Sequence, residues 1–444
     1  MAKSAGPEGV PTQEKIEKLK DHWLEVKKRA DKLCKKKIDP IYFEWAGKIT
    51  EWLRDCKYVP QMLDRVTNSN VDMARVAVAL PDPHRDPSWG REHLEATEEF
   101  AKDLGLDRKT VDKYLHYLME VELVNPTRNG YQRQRSSQLL HLIHGHPKYH
   151  DDDLTDLVFA FTRYGMQEYR DKVIGDLEAA GTSVPEMGMG MGMIRPRWKA
   201  IKDIPVVLPA EDWREVVKSK KRLAVLPCIC KLDDREVDCP VALYRCIQGD
   251  KGADYALARG AAKKLTLKEA FDLYEEWGEY PLINLGGGTD LERAGPGCCC
   301  HWDCCLAMTT YFMKEGKDKS AAQEEWIAKS RFRATVNPEK CIGCRVCIDE
   351  RCMFGAAQMK YYPEFGAERA YVDENKCMGC GNCVETCTVG CRSMKIVEPL
   401  EYFEKFAKKR AEVRELGTGG VAVENILKGL EALKTEREAK KKKK

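Results

Sequence analysis

Two cysteine-rich runs, "CIGCRVCIDERC" at residues 341–352 and "CMGCGNCVETC" at residues 377–387, restrict the fold of this chain more than any other feature. Each run begins with C-x2-C-x2-C, a spacing in which one tight turn points successive thiols toward a common centre. Gly343 suits the first of these turns because glycine tolerates unusual backbone conformations. The spacing therefore predicts a metal centre at each run.

The type of centre follows from how the ligands are grouped. Zinc sites favour two separated pairs of ligands, whereas two complete triplets with trailing cysteines are typical of 4Fe-4S clusters. In bacterial ferredoxins with two clusters, the last cysteine of each run binds the other cluster. On that pattern one cluster is bound by Cys341, Cys344, Cys347 and Cys387, and a second by Cys377, Cys380, Cys383 and Cys352.

Residues 331–398 thus resemble the two-cluster bacterial ferredoxin domain. The chain departs from that pattern in the first run, where four residues, "IDER", precede Cys352 instead of three. Met353 and Thr388 also replace the proline that usually follows each fourth cysteine, and Cys391 is an alternative to Cys387. Because thiolates fill every iron position in this scheme, the resemblance implies low-potential electron transfer without an open site for substrate.

A second group of nine cysteines lies upstream. Adjacent cysteines cannot easily bind one iron because neighbouring side chains diverge, so either alternate members of "CCC" face one cluster or two clusters meet there. We expect one or two further 4Fe-4S clusters; a zinc site or free buried thiols are the alternatives. His301 and Asp303 are additional candidate ligands or partners of ligands. The cysteines of this group are Cys228, Cys230, Cys239, Cys246, Cys298, Cys299, Cys300, Cys304 and Cys305.

The composition agrees with metal binding by these thiols. No stretch approaches the roughly 18 apolar residues of a membrane span, and no secretion signal is recognisable, so we expect a soluble, cytoplasmic protein. Thiols stay reduced in the cytosol, which favours metal ligands over disulfides for the 20 cysteines. Only Cys34 and Cys56 lie in the first half of the chain, and we expect neither to bind a cluster.

The patterns along the chain predict a multidomain α+β protein. In "TQEKIEKLKDHWLEVKKRADKLCKK", Ile16, Leu19, Trp23, Val26 and Leu33 recur at helical spacing. The predicted parts are a helical segment (1–60), a winged-helix-like docking domain (61–140), a helix with a flexible Met/Gly linker (141–204), an irregular cysteine-rich iron-sulfur domain (205–330), a two-cluster ferredoxin domain (331–400) and a helical basic tail (401–444).

The winged-helix prediction rests on "ATEEFAKDLGLDRKTVDKYLHYLMEVELV". It has the pattern of a helix, a turn at Gly105, a cap at Asp107 and a second helix, and "NPTRNGYQR" follows as a hairpin. Acidic and basic residues are interleaved here, and the 74 basic residues of the chain nearly cancel 71 acidic ones. DNA binding depends on a surplus of basic residues, so docking to a protein is favoured over nucleic acid.

A wider resemblance covers about residues 205–400. The motifs "AVLPCICK", "CPVALYRCIQGDKGADYALARGAAKKLTLKEAFDLYEEW", the cysteine group and the two ferredoxin runs follow the order seen in a family of large 4Fe-4S proteins of anaerobic bacteria and archaea. Members of that family carry a winged-helix-like region near the N-terminus. The resemblance implies electron transfer but no particular reaction.

These patterns predict a non-catalytic iron-sulfur subunit that carries electrons to or from a redox enzyme, flavin- or metal-dependent, in anaerobic metabolism. An alternative is a redox-sensing regulator that binds DNA through the winged helix. A self-contained reductase is a third possibility, although "LINLGGGTD" lacks the lysine and helix of a phosphate-binding loop. If the N-terminal half only docks a partner, residues 1–150 are removable without loss of iron.

Overall fold

A computed structural model describes residues 10–81, 97–127, 130–133, 140, 143–179, 192–234, 237, 239–286, 291, 294–313 and 327–401. Helices and strands are mixed throughout these residues, which confirms the α+β prediction. None of the described helices combines the length and the apolar character that crossing a membrane requires. Most of the Met/Gly stretch, the "GGG" loop and the basic tail lie outside the described residues.

The N-terminal half is helical. The described helices are α1 (Gln13–Leu33), α2 (Ile41–Ile49), α3 (Val59–Val66), α4 (Val71–Ala79), α5 (Glu98–Asp103), α6 (Arg108–Glu120), α7 (Asp152–Ala160) and α8 (Met166–Ala179). A short 3-10 helix, Glu51–Arg54, follows α2, and a π-helical turn, Phe161–Gly165, joins α7 to α8.

Helix α1 has the amphipathic pattern that the sequence predicts. The hydroxyl of Thr12 accepts a hydrogen bond from the Lys15 amide and caps its first turn. Leu19, Trp23 and Val26 are buried on one face, as expected from their spacing. Helix α1 packs against α7 and against the later helix Leu306–Met313, so α1 joins two regions of the chain.

The predicted helix–turn–helix and hairpin are present. Gly105 has a φ of 69° between α5 and α6, and the carboxylate of Asp107 accepts a hydrogen bond of 3.0 Å from the Thr110 amide. Strands β1 (Val124–Thr127) and β2 (Gly130–Arg133) then pair antiparallel.

The central part contains a seven-stranded sheet. Its strands are β3 (Gly192–Arg195), β4 (Leu223–Pro227), β5 (Tyr244–Gly249), β6 (Lys263–Leu265), β7 (Ile283–Gly286), β8 (Gly297–Cys300) and β9 (Ile327–Ala328). The order in the sheet is β6-β4-β5-β8-β7-β3-β9. All neighbours are antiparallel except β3 and β9, which are parallel.

Two predictions for this part were wrong. The cysteine-rich domain is not irregular, because strands β5 and β8 place Cys246 and Cys298–Cys300 within the sheet. The Met/Gly stretch does not end as a linker either: its last residues form β3. Pairing of β3 with β7 and β9 satisfies its backbone groups and offsets the weak strand preference of glycine.

Helices cover the sheet and its connections. They are α9 (Trp198–Ile201), α10 (Trp213–Lys218), α11 (Ile229–Asp233), α12 (Lys251–Ala258), α13 (Leu267–Trp277) and α14 (Leu306–Met313). Helix α13 begins, as predicted, at Thr266, which forms a reciprocal capping box with Glu269. Its buried residues Ala270 and Tyr274 share an apolar core with Cys299.

Buried polar contacts hold the N-terminal half to the central part. His22 Nε2 lies 2.7 Å from Asp234 Oδ1, and Trp23 Nε1 donates to Asp234 Oδ2 over 3.3 Å. Arg163, in the π-helical turn, donates to the carbonyl of Cys304 over 2.7 Å. The N-terminal half thus packs against the central part, and the expectation that residues 1–150 are removable without loss of iron stays a prediction.

The C-terminal part consists of two small antiparallel sheets. Strand β10 (Phe332–Val336) pairs with β13 (Arg392–Ile396), and β11 (Ala357–Tyr362) pairs with β12 (Ala367–Val372). A π-helical turn spans Cys347–Arg351, a 3-10 turn spans Pro363–Phe365, and α15 spans Asn382–Glu385.

Arg197 joins this part to the central sheet. Its amide donates to the carbonyl of Cys380 over 2.8 Å, and its guanidinium forms a buried ion pair with Glu385. The same guanidinium lies 4.1 Å from the ring centroid of Tyr274. Asn382 Nδ2 donates to the Leu282 carbonyl over 3.1 Å. The second cysteine run is thus bonded to residues that flank β3 and β7 of the sheet.

Candidate iron-sulfur sites

The two cysteine runs form turns of the same geometry. Gly343 and Arg345 have φ values of 69° and 64° in the first run, and Gly379 and Gly381 have φ values of 73° and 81° in the second. These residues occupy the same two positions relative to the first cysteine of each run. The left-handed backbone reverses the chain twice, which lets three successive thiols converge.

The extra residue of the first run is accommodated by a change of helix type. In the second run, α15 leads to Cys387, four residues after Cys383. In the first run, the π-helical turn that begins at Cys347 leads to Cys352, five residues later. A π-helical turn holds one more residue than an α-helical turn. The extra residue therefore lengthens the turn, and Cys352 still lies beside the second run.

Five thiols form what we call the first ferredoxin group: Cys341, Cys344, Cys347, Cys387 and Cys391. They line a cavity of about 450 Å³. The Sγ atoms of Cys387 and Cys391 lie 3.4 Å apart, and Cys391 is also next to Cys341. The structure thus brings both candidates for the fourth ligand to the same three thiols.

Four thiols form the second ferredoxin group: Cys352, Cys377, Cys380 and Cys383. Burial raises the pKa of Cys380 well above its usual range, and the other three thiols contribute to the same shift. Cys352 comes from the first run and the rest from the second, so the chain crosses between runs as the sequence predicts.

Hydrogen-bond donors point at the ferredoxin sulfurs. The amides of Ala334, Ala357 and Ala370 donate to Cys377, Cys352 and Cys341 over 3.5, 3.3 and 3.4 Å. Arg392 Nη2 donates to Cys347 Sγ over 2.9 Å. Such donors stabilise thiolates and tune the potential of a bound cluster, so these groups fit iron-sulfur clusters.

The nine upstream thiols are divided by β8, because successive side chains of this strand point to opposite faces of the sheet. Cys298 and Cys300 lie on one face of the sheet, and Cys298 is the cross-strand partner of Cys246, with 3.5 Å between their Sγ atoms. Cys299 points to the opposite face, where Asn284 Nδ2 donates to its sulfur over 3.5 Å. The structure therefore separates Cys299 from Cys298 and Cys300 and places it in the apolar core that also contains Cys239 and Cys304.

Six thiols on one side form what we call the six-thiol group. Cys228 and Cys230 lie at the start of α11. The six thiols form a continuous series in which each thiol contacts the next, in the order Cys228, Cys230, Cys305, Cys300, Cys298 and Cys246. The number of thiols exceeds the four that one cubane cluster needs.

Cys239 and Cys304 form a separate pair. Their Sγ atoms lie 3.9 Å apart, Arg245 Nη2 donates to Cys304 Sγ over 2.8 Å, and His301 Nδ1 is 3.7 Å from Cys239 Sγ. Asp303 lies beside both thiols. We call Cys239, His301, Asp303 and Cys304 the Cys239–Cys304 group.

Burial keeps several of these thiols protonated when no metal is bound. It raises the pKa of Cys299 and of Cys383 to about 12. Burial also raises the pKa of Cys347, although the nearby guanidinium of Arg392 opposes the shift. Metal binding must therefore displace protons from these sites.

Sequence reasoning missed the two buried arginines, Arg245 and Arg392, that donate to cysteine sulfurs. Each is adjacent to a cysteine in the chain, which is the only sequence signal of their role. Cys34 and Cys56, which we did not expect to bind clusters, pack against the N-terminal apolar core. Burial raises the pKa of Cys34 to about 11.

The second ferredoxin group and the six-thiol group share one apolar core. Cys300 and Cys305 belong to a buried core that also contains Met353, Phe354 and Met378, and Cys380 packs against it. Residues of both groups therefore meet across the same apolar side chains.

Comparison with known proteins agrees with the ferredoxin geometry. No curated protein and no solved structure matches the chain significantly. Residues 340–391, which contain both runs, match the family model of the 4Fe-4S dicluster domain, and this similarity supports an iron-sulfur protein.

Proposed function

We propose that this protein is an electron-transfer subunit that relays low-potential electrons through three 4Fe-4S clusters, to or from a catalytic oxidoreductase. The observation that carries the proposal is the shared apolar core between the second ferredoxin group and the six-thiol group. Clusters bound by these two groups would both lie against this apolar core, which supports electron transfer between them. A relay needs successive clusters in sequence, whereas a sensor needs only one labile cluster.

We assign the ligands as follows. The first cluster is bound by Cys341, Cys344, Cys347 and Cys387, with Cys391 as the alternative to Cys387. The second is bound by Cys352, Cys377, Cys380 and Cys383. The third takes four members of the six-thiol group, and we favour Cys228, Cys230, Cys300 and Cys305. Cys300 and Cys305 lie in the shared core, whereas Cys246 and Cys298 pair with each other at a less buried position.

The first ferredoxin group offers the route to a partner. Cys344 is exposed, and the neighbouring Ile342 has 62% of its surface exposed. Both groups contain two buried cysteines, but none of the four cysteines of the second ferredoxin group is exposed. Electrons therefore enter or leave at the first cluster, where a flavin- or metal-dependent enzyme of anaerobic metabolism can approach.

The charge pairing of α6 argues against the DNA-binding alternative. Arg108, at the start of this helix, lies 3.7 Å from Glu98 and 3.6 Å from Asp112. Lys109 and Lys113 are exposed, but the acidic neighbours reduce the positive charge that phosphate binding needs. This mixed surface suits a protein partner better.

Anaerobic purification from the native source tests the relay. We expect about twelve irons per chain, four for each cluster, together with a co-purifying redox enzyme. A content of about eight irons per chain would contradict the third cluster and the relay through the central part. Salt-sensitive binding to a specific DNA site that changes on oxidation, without a protein partner, would favour the regulator.

Single substitutions test the ligand crossing. We expect Cys344→Ala to damage only the first cluster and to leave the electron paramagnetic resonance signal of the second, because the two ligand sets share no thiol. Cys387→Ala is expected to have the same effect, and Cys391→Ala is the matched control. If Cys387→Ala leaves both signals intact while Cys391→Ala does not, Cys391 is the fourth ligand.

A further inference from the structure

We infer that the Cys239–Cys304 group binds a single zinc ion, separate from the iron-sulfur clusters. Cys239 lies in the loop between α11 and β5, and the other three residues follow β8 directly. Donor atoms of Cys239, Asp303 and Cys304 all lie within 4.8 Å of one another, and all three residues are buried. The residues thus converge from two loops on one point.

The spacing of the two sulfurs fits one tetrahedral ion. With Zn–S bonds of about 2.3 Å, two thiolates of a tetrahedral site lie roughly 3.8 Å apart. The Sγ atoms of Cys239 and Cys304 are 3.9 Å apart. A single ion can therefore bind both sulfurs with little movement.

The mixed chemistry of the donors also favours zinc. Iron-sulfur clusters are held mainly by thiolates, whereas zinc accepts sulfur, imidazole nitrogen and carboxylate oxygen. We assign the fourth position to His301, which lies next to the three donors that converge within 4.8 Å: it is fully buried, and its Nδ1 lies 3.7 Å from Cys239 Sγ and 2.6 Å from Asp303 Oδ1. Two thiolates, one carboxylate and one imidazole complete a closed site, which is typical of structural zinc.

The charges of the occupied site balance with a divalent cation. As ligands, Cys239, Asp303 and Cys304 bring three negative charges into a buried space, and buried charges are costly unless they are paired. Arg245, which is 1% exposed, supplies one positive charge through its contact with Cys304. The remaining two negative charges match one divalent ion.

The site would stabilise the neighbouring six-thiol group. Cys304 is followed directly by Cys305, and the loop of Cys239 follows the helix that carries Cys230. A zinc ion between these loops would hold Cys305 and Cys230 in place. Zinc thus has a structural role here and takes no part in electron transfer.

Metal analysis of the full-length, anaerobically purified protein tests the inference. We expect one zinc per chain in addition to the iron, and we expect Asp303→Ala and Cys304→Ala each to lose the zinc. Cys34→Ala is the control, because this cysteine packs against the N-terminal apolar core, away from both thiol groups. It should keep zinc and iron at wild-type amounts.

X-ray absorption at the zinc edge of the wild-type protein provides a measurement that does not depend on the folding of variants. We expect two sulfurs at about 2.3 Å and two lighter ligands at about 2.0 to 2.1 Å. Absence of zinc from protein produced with added zinc, or a shell of four sulfurs, would overturn the inference. Zinc-free wild-type protein with about sixteen irons per chain would instead assign Cys239 and Cys304 to a further cluster. The iron content of the wild type tests the relay independently.

Discussion

Replacing Gly379 with alanine is expected to abolish the second cluster and to remove four irons per chain. Gly379 has a φ of 73°, and a Cβ atom there would lie 2.0 Å from Ser330 Oγ and 2.2 Å from the carbonyl oxygen of Phe332. The Phe332 oxygen belongs to the backbone of β10, so the turn itself must move. We expect a loss of more than about 4 kcal/mol of folding free energy, which is exceptional for one substitution. Iron analysis and chemical denaturation measure both effects.

Gly366→Ala is the matched control. Gly366 also has a left-handed backbone, with a φ of 56°, but no atom lies within 4 Å of the added Cβ. The cost is then only that of the backbone conformation, about 1–2 kcal/mol, and all irons should remain. Equal iron loss in both variants would show that the left-handed conformation alone, and not the close approach to β10, accounts for the loss of the cluster.

Trp23→Ala is expected to destabilise the protein by about 3–5 kcal/mol and to release iron from the six-thiol group. Trp23 is buried in the core that contains Cys300 and Cys305, packs edge-on against Phe159 with 5.7 Å between ring centroids, and bonds to Asp234. Its removal leaves a cavity in the core that contains Cys300 and Cys305 and takes one hydrogen bond from the Asp234 carboxylate, which keeps its contact with His22. The midpoint of urea unfolding and the iron content measure these effects.

The neighbouring Leu24 provides the control for that experiment. Its side chain is 47% exposed on the other face of α1, so Leu24→Ala should change stability by no more than about 0.5 kcal/mol. If Trp23→Ala keeps wild-type stability and iron content, α1 does not support the central site. Removing residues 1–150 would then leave the third cluster intact, as the sequence alone suggests.

The local features of this protein were determined by short stretches of sequence. The spacing in "CIGCRVC" and "CMGCGNC" requires tight turns, and both form with left-handed residues at equivalent positions. Thr266 and Asp107 cap the helices they were expected to cap, because capping depends on residues only three positions away. The buried face of α1 follows from helical spacing in the same way.

The grouping of the upstream cysteines was decided by the tertiary structure. Cys246 and Cys298 meet because β5 and β8 pair in one register, and a shift of one residue would move Cys299 to that face instead. Nothing in the local sequence fixes a register between strands some fifty residues apart. The same nonlocal pairing makes Gly192–Arg195 a strand, and packing between distant segments places Arg245 on Cys304 and α1 on the central core. Sequence spacing therefore fixed which thiols can share a turn, whereas strand register and packing decided which distant thiols share a site.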